Sequence, residues 1–441
     1  MGYSRHLVCA ARIGAFVAFA VSTANALNFV PRPQTPQTEG TASFELLSDN
    51  ALLDEVVPIV VRGLTPHSTV TIRARSGGQQ PWVANATFVA DENGRVDLAH
   101  MAPTRGAYKN VDAMGLFWSA ERESASGSPE PEEDTAAGSP ALWTLTADMD
   151  GRLVARTTVR RSALAPGTRV TGVRESGLVG MLYEPPDDLR HPALIVLSGS
   201  GGGIPPPVGV VGGLASRGYV VLALAYFGVP GLPRVLSNIP LEYFGTAIQW
   251  LSAHSSVDPM RLAVVGASRG AELALLLGIT YPVLHTVVAY MPSDVIWRGC
   301  CDPTTDVAWT INGRPLAATP MEVRQRGGAR AEIPVERIQG AVLLISGRDD
   351  GVWPSSEMAE RIVSRLRRNG FRFPYLSLVY DHAGHGITRP YSSTMELNSR
   401  RHPLTGRPVH VGGTPAGTAK ASAESWRKML EFVDQHLRQG G

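Results

Sequence analysis

An apolar run, Leu262-Ala263-Val264-Val265, enters Gly266-Ala267-Ser268-Arg269-Gly270 and leaves as Ala271-Glu272-Leu273-Ala274-Leu275-Leu276-Leu277. The first stretch reads as a buried strand and the last as a helix, so the five residues between must form a tight strand-to-helix turn. Glycines on both sides of the serine suit a turn where strand and helix pass too closely for a Cβ. A G-x-S-x-G spelling alone is weak, but here the strand and helix fall where an exposed nucleophilic serine needs them.

A serine hydroxyl attacks only when a base takes its proton and an acid orients that base. In an α/β-hydrolase sheet these partners follow in the order serine, acid, histidine. Ala341 to Ser346 reads as a buried strand leading into Gly347-Arg348-Asp349-Asp350-Gly351. Tyr375 to Tyr380 reads as another, leading into Asp381-His382-Ala383-Gly384-His385-Gly386. The reading assigns Ser268 as nucleophile, Asp350 as acid with Asp349 as its rival, and His385 as base, since His382 leaves its strand too early. His191 to Leu197 reads as an earlier strand running into Ser198-Gly199-Ser200-Gly201-Gly202-Gly203. A glycine-rich loop there can offer one backbone N–H to a developing oxyanion, from Ser200 or else Gly201, while the Arg269 N–H offers the second. A phosphate cradle is the alternative use of such a loop, but the Lys-Ser/Thr ending of a P-loop is missing.

The chain has 441 residues, 44% hydrophobic and 18% charged, which suits two globular domains. A net charge of +2 gives no reason to expect a nucleic-acid partner. Residues 1–26 read as a secretory leader: Arg5 and Arg12, an apolar core from Ile13 to Val21, then Ala24-Asn25-Ala26. The expected location is therefore exported, periplasmic or secreted, with an uncleaved anchor as the alternative. No other segment is expected to insert stably in a membrane. Beyond the leader's Cys9 only Cys300-Cys301 remains, read as two loop thiols or, alternatively, a redox-sensitive bridge. No neighbouring histidine has metal-ligand spacing, so neither metal nor cofactor is expected.

Residues 27–160 carry short, closely spaced β-branched runs: Val56–Arg62, Ser68–Ala74, Trp82–Ala90, Arg95–Leu98, and a hairpin pair around Asp148–Gly151. That rhythm predicts a β-sandwich, with Glu121 to Pro140 as a polar, acidic loop. From 161 to 441 strands alternate with helices, including Leu241–Leu251, Ser355–Asn369 and about Ala419 to Leu437. Alternation predicts a mostly parallel sheet covered on both faces. The arginines 361, 365, 367 and 368 are read as a solvated helix face. Residues 292 to 335, with Trp297 and Trp309, read as an insertion, either a lid or a surface excursion.

Several segments together make the chain resemble the acyl-CoA thioesterase and bile acid-CoA:amino acid N-acyltransferase family over nearly all its mature length. They are Val111 to Trp118, Gly199 to Gly203, Leu224 to Phe227, Leu241 to Phe244, the Ser268 turn, Gly347 to Trp353, and Ala383-Gly384-His385 with Pro390-Tyr391. The resemblance implies an immunoglobulin-like sandwich joined to an α/β-hydrolase domain, and places the triad roles on Ser268, Asp350 and His385. It implies a serine hydrolase cleaving acyl thioesters through an acyl-enzyme, with a small acyl ester or thioester as its partner and a place in fatty acid metabolism. The family also holds acyltransferases with a cysteine nucleophile; serine favours water as acceptor. An exported carboxylesterase or an acyltransferase is the alternative, and a non-catalytic binding protein is the third reading. Arg269 and Arg348 are candidates to meet coenzyme A phosphates.

Overall fold

The computed structural model describes residues 42–123, 141–302, 307–320, 330–387 and 389–438. Residues 1–26, read as a leader, and most of the acidic segment Glu121 to Pro140 lie outside these residues.

Alternating strands and helices after residue 161 build one eight-stranded sheet. Its strands are β1 (Arg169–Val173), β2 (Val179–Glu184), β3 (His191–Leu197), β4 (Val220–Ala225), β5 (Val257–Ala267), β6 (Leu284–Tyr290), β7 (Ala341–Gly347) and β8 (Tyr375–Tyr380). Their order across the sheet is β1-β2-β4-β3-β5-β6-β7-β8, and β2 alone runs antiparallel to its neighbours. This is the α/β-hydrolase arrangement that the Ser268 turn requires. The inner strands are apolar at nearly every position because both sheet faces are covered. Residues such as Ile195, Leu222 and Val264 belong to one core and Leu194, Val221 and Val265 to another.

Helices α1 (Leu241–Ala253), α2 (Arg269–Thr280), α3 (Ser355–Arg368) and α4 (Pro415–Val433) pack on this sheet. Helix α4 begins four residues earlier than its apolar pattern suggests. Pro415 occupies its first turn and the Thr414 side chain accepts from Gly417 N at 3.0 Å, capping the end. In α3 the apolar face is buried, while Arg365 pairs with Glu332 and Glu336, and Arg361 with Asp294. These two arginines thus link α3 to neighbouring segments rather than only facing solvent.

The N-terminal strands form two further sheets. Ser43–Leu46, Ile59–Arg62 and Val96–Asp97 make a three-stranded antiparallel sheet. The larger sheet centres on Arg152–Ser162, Ala141–Met149, Thr69–Ser76 and Trp82–Val89. Val70, Ile72 and Ala74 alternate inward and share a core with Ile59, Val61 and Phe88. The Asp148–Gly151 hairpin closes with Asp150 at φ 49° and Gly151 at φ 75°, both positive as a two-residue turn between twisted strands demands. One departure from pure β structure is the buried turn of helix Gly115–Trp118.

The insertion is not a surface excursion at its aromatic residues. Trp297 and Trp309 are 2% and 0% exposed, and Trp309–Ile311 pairs with Ile239–Pro240. Two such side chains gain more from burial than a polar lid surface would allow. Among the described residues, no helix is long and apolar enough to cross a membrane.

Candidate active site

Ser268, Asp350 and His385 follow β5, β7 and β8, at the strand ends where open α/β sheets place their ligand crevice. Ser268 has φ 58° and ψ −121°, a conformation that L residues avoid and that surrounding structure must impose. A Cβ on Gly266 would lie 1.9 Å from the Gly270 carbonyl oxygen, and one on Gly270 would lie 2.5 Å from that of Ser198. Both glycines are therefore required by packing. The Ser268 N–H donates to the Tyr290 carbonyl at 2.9 Å, fixing the turn against the end of β6.

His385 Nδ1 stands 2.7 Å from Asp350 Oδ2, and both side chains are nearly or fully buried. The other carboxylate oxygen of Asp350 accepts from Val352 N at 2.9 Å and Trp353 N at 3.1 Å. An ionised carboxylate so held makes Nδ1 the protonated nitrogen and leaves Nε2 as the basic one. Nε2 is buried and has no hydrogen-bond partner. Trp353 packs edge-on to the His385 ring at 5.2 Å, and its Nε1 donates to the Met291 carbonyl at 3.2 Å. Tyr290 and Met291 thus anchor the serine turn and the histidine's aromatic neighbour from adjacent residues. Asp349 lies outside this arrangement, facing His382 at 3.6 Å on the surface.

The Ser198–Gly203 loop lies against Ser268: a Cβ on Gly199 would be 3.7 Å from Ser268 Oγ. Tyr226 OH donates to the Ser198 carbonyl at 2.7 Å, and Gly202 N to that of Gly199 at 3.2 Å, which shapes the turn containing Ser200. The Arg269 N–H opens α2 and has no acceptor within the helix, as is true of every first-turn amide.

The side chain of Arg269 is only 5% exposed, so it is not available to a phosphate at the surface. Its Nη2 donates to the Trp297 carbonyl at 3.1 Å, and its Nε lies 3.2 Å from Glu272 Oε2. Glu272 Oε1 accepts from Trp309 Nε1 at 2.7 Å and Trp297 N at 3.3 Å. Burial pushes the Glu272 carboxyl up to about 7, opposed by the nearby Arg269 guanidinium. Arg348, by contrast, is exposed and pairs with Asp381 at 2.7 Å.

Sequence reasoning missed Glu272, Tyr226 and His402. A carboxylate inside the apolar Ala271–Leu277 segment was the available signal for Glu272, because a charge in a buried helix needs a partner. His402 gave none: it meets the cysteines only through the fold. Cys300 and Cys301 are joined in a vicinal disulfide rather than standing as two thiols, and His402 Nε2 lies 3.9 Å from Cys301 Sγ across 101 positions.

Comparison with known proteins matches the same two regions. The family model described as Acyl-CoA thioester hydrolase/BAAT N-terminal region matches residues 54–175, and BAAT / Acyl-CoA thioester hydrolase C terminal matches residues 239–439. Human acyl-coenzyme A thioesterase 1 is 31% identical over 403 residues, covering 87% of this chain and 94% of that protein. Human mitochondrial acyl-coenzyme A thioesterase 2 is 31% identical, covering 87% and 82%. Mouse acyl-coenzyme A amino acid N-acyltransferase 1 is 32% identical over 422 residues, covering 89% and 97%. With full-length relatives at this identity and both regions matched in chain order, this chain belongs to the acyl-CoA thioester hydrolase/BAAT family.

Proposed function

We propose that this protein is a serine hydrolase that cleaves acyl thioesters of the coenzyme A type through an acyl-enzyme. The observation that carries the reading is His385: its Nδ1 is tied to Asp350, while its buried Nε2 lacks a partner at the strand ends that also carry Ser268. His385 takes the Ser268 proton as Oγ attacks the acyl carbon. The oxyanion is met by the backbone N–H groups of Ser200 and Arg269. The thiolate leaves with the proton from His385, which then activates water to release the acid. Serine in place of a cysteine nucleophile supports water over an amine as final acceptor.

The relatives' names support the thioester class, and a triad of this kind attacks oxyesters too. Labelling with a serine-directed phosphonate tests for an activated Ser268; absence of labelling would favour a binding protein. Acyl-CoAs and matching oxyesters, assayed side by side, test the substrate. A higher kcat/KM for the acyl-CoA supports the thioesterase reading, and equal rates replace it with a carboxylesterase. Residues 27–160 we read as an immunoglobulin-like sandwich, supported by two sheets around one shared core. Residues 1–26 we read as a cleaved export leader; a mature N-terminus at Leu27 is the expected sequencing result.

A further inference from the structure

Cys300, Cys301 and His402 stand together beside the Ser198–Gly203 loop, with one ligand-type atom from each lying within 4.8 Å of the others. All three are half-buried, so solutes can reach them. A bridge between adjacent residues closes almost no chain, so loop entropy gives it little value as a structural staple. Its neighbours instead form a small donor set: Cys301 Sγ lies 3.4 Å from the Ser200 carbonyl, and His402 Nε2 lies 3.0 Å from Ser200 Oγ.

We propose that the reduced Cys300–Cys301 pair and His402 form a binding site for a thiophilic divalent cation of the zinc class. A tetrahedral zinc with Zn–S of about 2.3 Å and Zn–N of about 2.0 Å has ligand–ligand edges of roughly 3.5–3.8 Å. The Cys301–His402 separation of 3.9 Å is already close to such an edge. The disulfide form cannot bind, because its sulfurs are spent on each other. A small dithiol reduces the bridge: it gives up two electrons and two protons and closes its own disulfide, while the Sγ–Sγ bond breaks and each sulfur takes a proton. The cation then displaces both protons to solvent and is held by two thiolates and the imidazole, with a fourth position for water.

Occupation changes what His402 does. Its Nδ1 now accepts two long contacts, from Leu404 N at 3.3 Å and Thr405 N at 3.4 Å, so Nε2 carries the ring proton. Metal at Nε2 moves that proton to Nδ1, so both contacts are given up and the turn after His402 shifts. The Ser200 hydroxyl loses its imidazole partner in the same step. The site does not rest on the proposed reaction.

The test uses the full chain carrying Cys9→Ser, reduced with a dithiol and then freed of it, with zinc competed against a chromogenic chelator. Reduced protein is expected to hold about one equivalent, and oxidised protein none. The Cys300→Ser/Cys301→Ser double variant is expected to hold none, and His402→Ala to bind at least about tenfold more weakly. Cobalt substituted for zinc should give a thiolate-to-metal charge-transfer band, a readout that a merely misfolded variant would not mimic. Thermal unfolding without metal checks that each variant is folded. Equal zinc binding by reduced and oxidised protein overturns the proposal, as does unchanged affinity in folded His402→Ala.

Discussion

The two sides of the site are held by different physics. On the acid–base side, Asp350 is fixed by hydrogen bonds to both oxygens, from His385, Val352 and Trp353. On the nucleophile side, Ser268 is fixed by an enforced positive φ and close backbone packing. Behind that turn the Arg269 Nε and Glu272 Oε2 face each other at 3.2 Å without an aligned hydrogen bond. The first side depends on a few directional contacts, and a single isosteric change removes one of them. The second depends on distributed packing, so its supporting charges act on stability more than on chemistry.

The largest effects should come from the atoms proposed to react. Ser268→Ala and His385→Ala are each expected to lower turnover by about 10⁴-fold or more with the fold intact, and the double variant to be scarcely worse than either. Full additivity of the two losses would break the proposed unit. Asp350→Asn keeps the shape but cannot hold the same tautomer, and a loss of roughly 10³–10⁴-fold is expected. Asp349→Asn should stay within about twofold, since its carboxylate faces the exposed His382. Reversal of those two results would move the acid to Asp349.

The nucleophile side should respond to pH through stability. Glu272 is raised from 4.5 to about 7, so the folded state holds its proton more tightly than the unfolded chain. Stability from this group is fully present below about pH 4.5 and is lost as pH rises through 7. Glu272→Gln mimics the neutral form, keeps an acceptor for Trp309, and removes this dependence. Relative to the variant, wild type should lose about a few degrees of Tm between pH 4.5 and 7, with no further change above. A constant difference across that range would mean that Glu272 is ionised throughout.

The same contrast explains what the sequence made legible. Ser268, Asp350 and His385 could be picked out as candidates because each follows a strand with a strong apolar signature, and chain order constrains the roles proposed for them. Pattern ranked Asp350 ahead of Asp349 but left both open, since adjacent residues point in different directions that only the loop geometry decides. Strands β1 and β6 carry weaker sequence signals for another reason. Arg169–Val173 is an exposed edge, and Leu284–Tyr290 carries His285 and Thr286 within an otherwise apolar run. Arg269 reads as a surface cation because it follows Ser268 at a turn. Its burial follows from Glu272 one helical turn away and from Trp297 far along the chain. The meeting of His402 with the cysteines likewise depends on contacts across 101 positions.

A smaller effect than those of the triad concerns substrate recognition. With Arg269 buried, Arg348 is the remaining one of the two arginines able to meet an anionic group, and it is 55% exposed. Its guanidinium is already engaged by Asp381 at 2.7 Å, so part of its charge is neutralised before any ligand arrives. An exposed cation in water contributes only modestly to holding a phosphate, because solvent and salt screen the interaction. Arg348→Ala should therefore raise KM for an acyl-CoA by about two- to fivefold and leave kcat unchanged. KM for an uncharged oxyester should not move. Asp381→Asn frees the guanidinium and should lower KM for the acyl-CoA, an effect that added salt erases. An equal rise in KM for both substrates in Arg348→Ala would show that the arginine shapes the loop before Asp350 and does not read the phosphates.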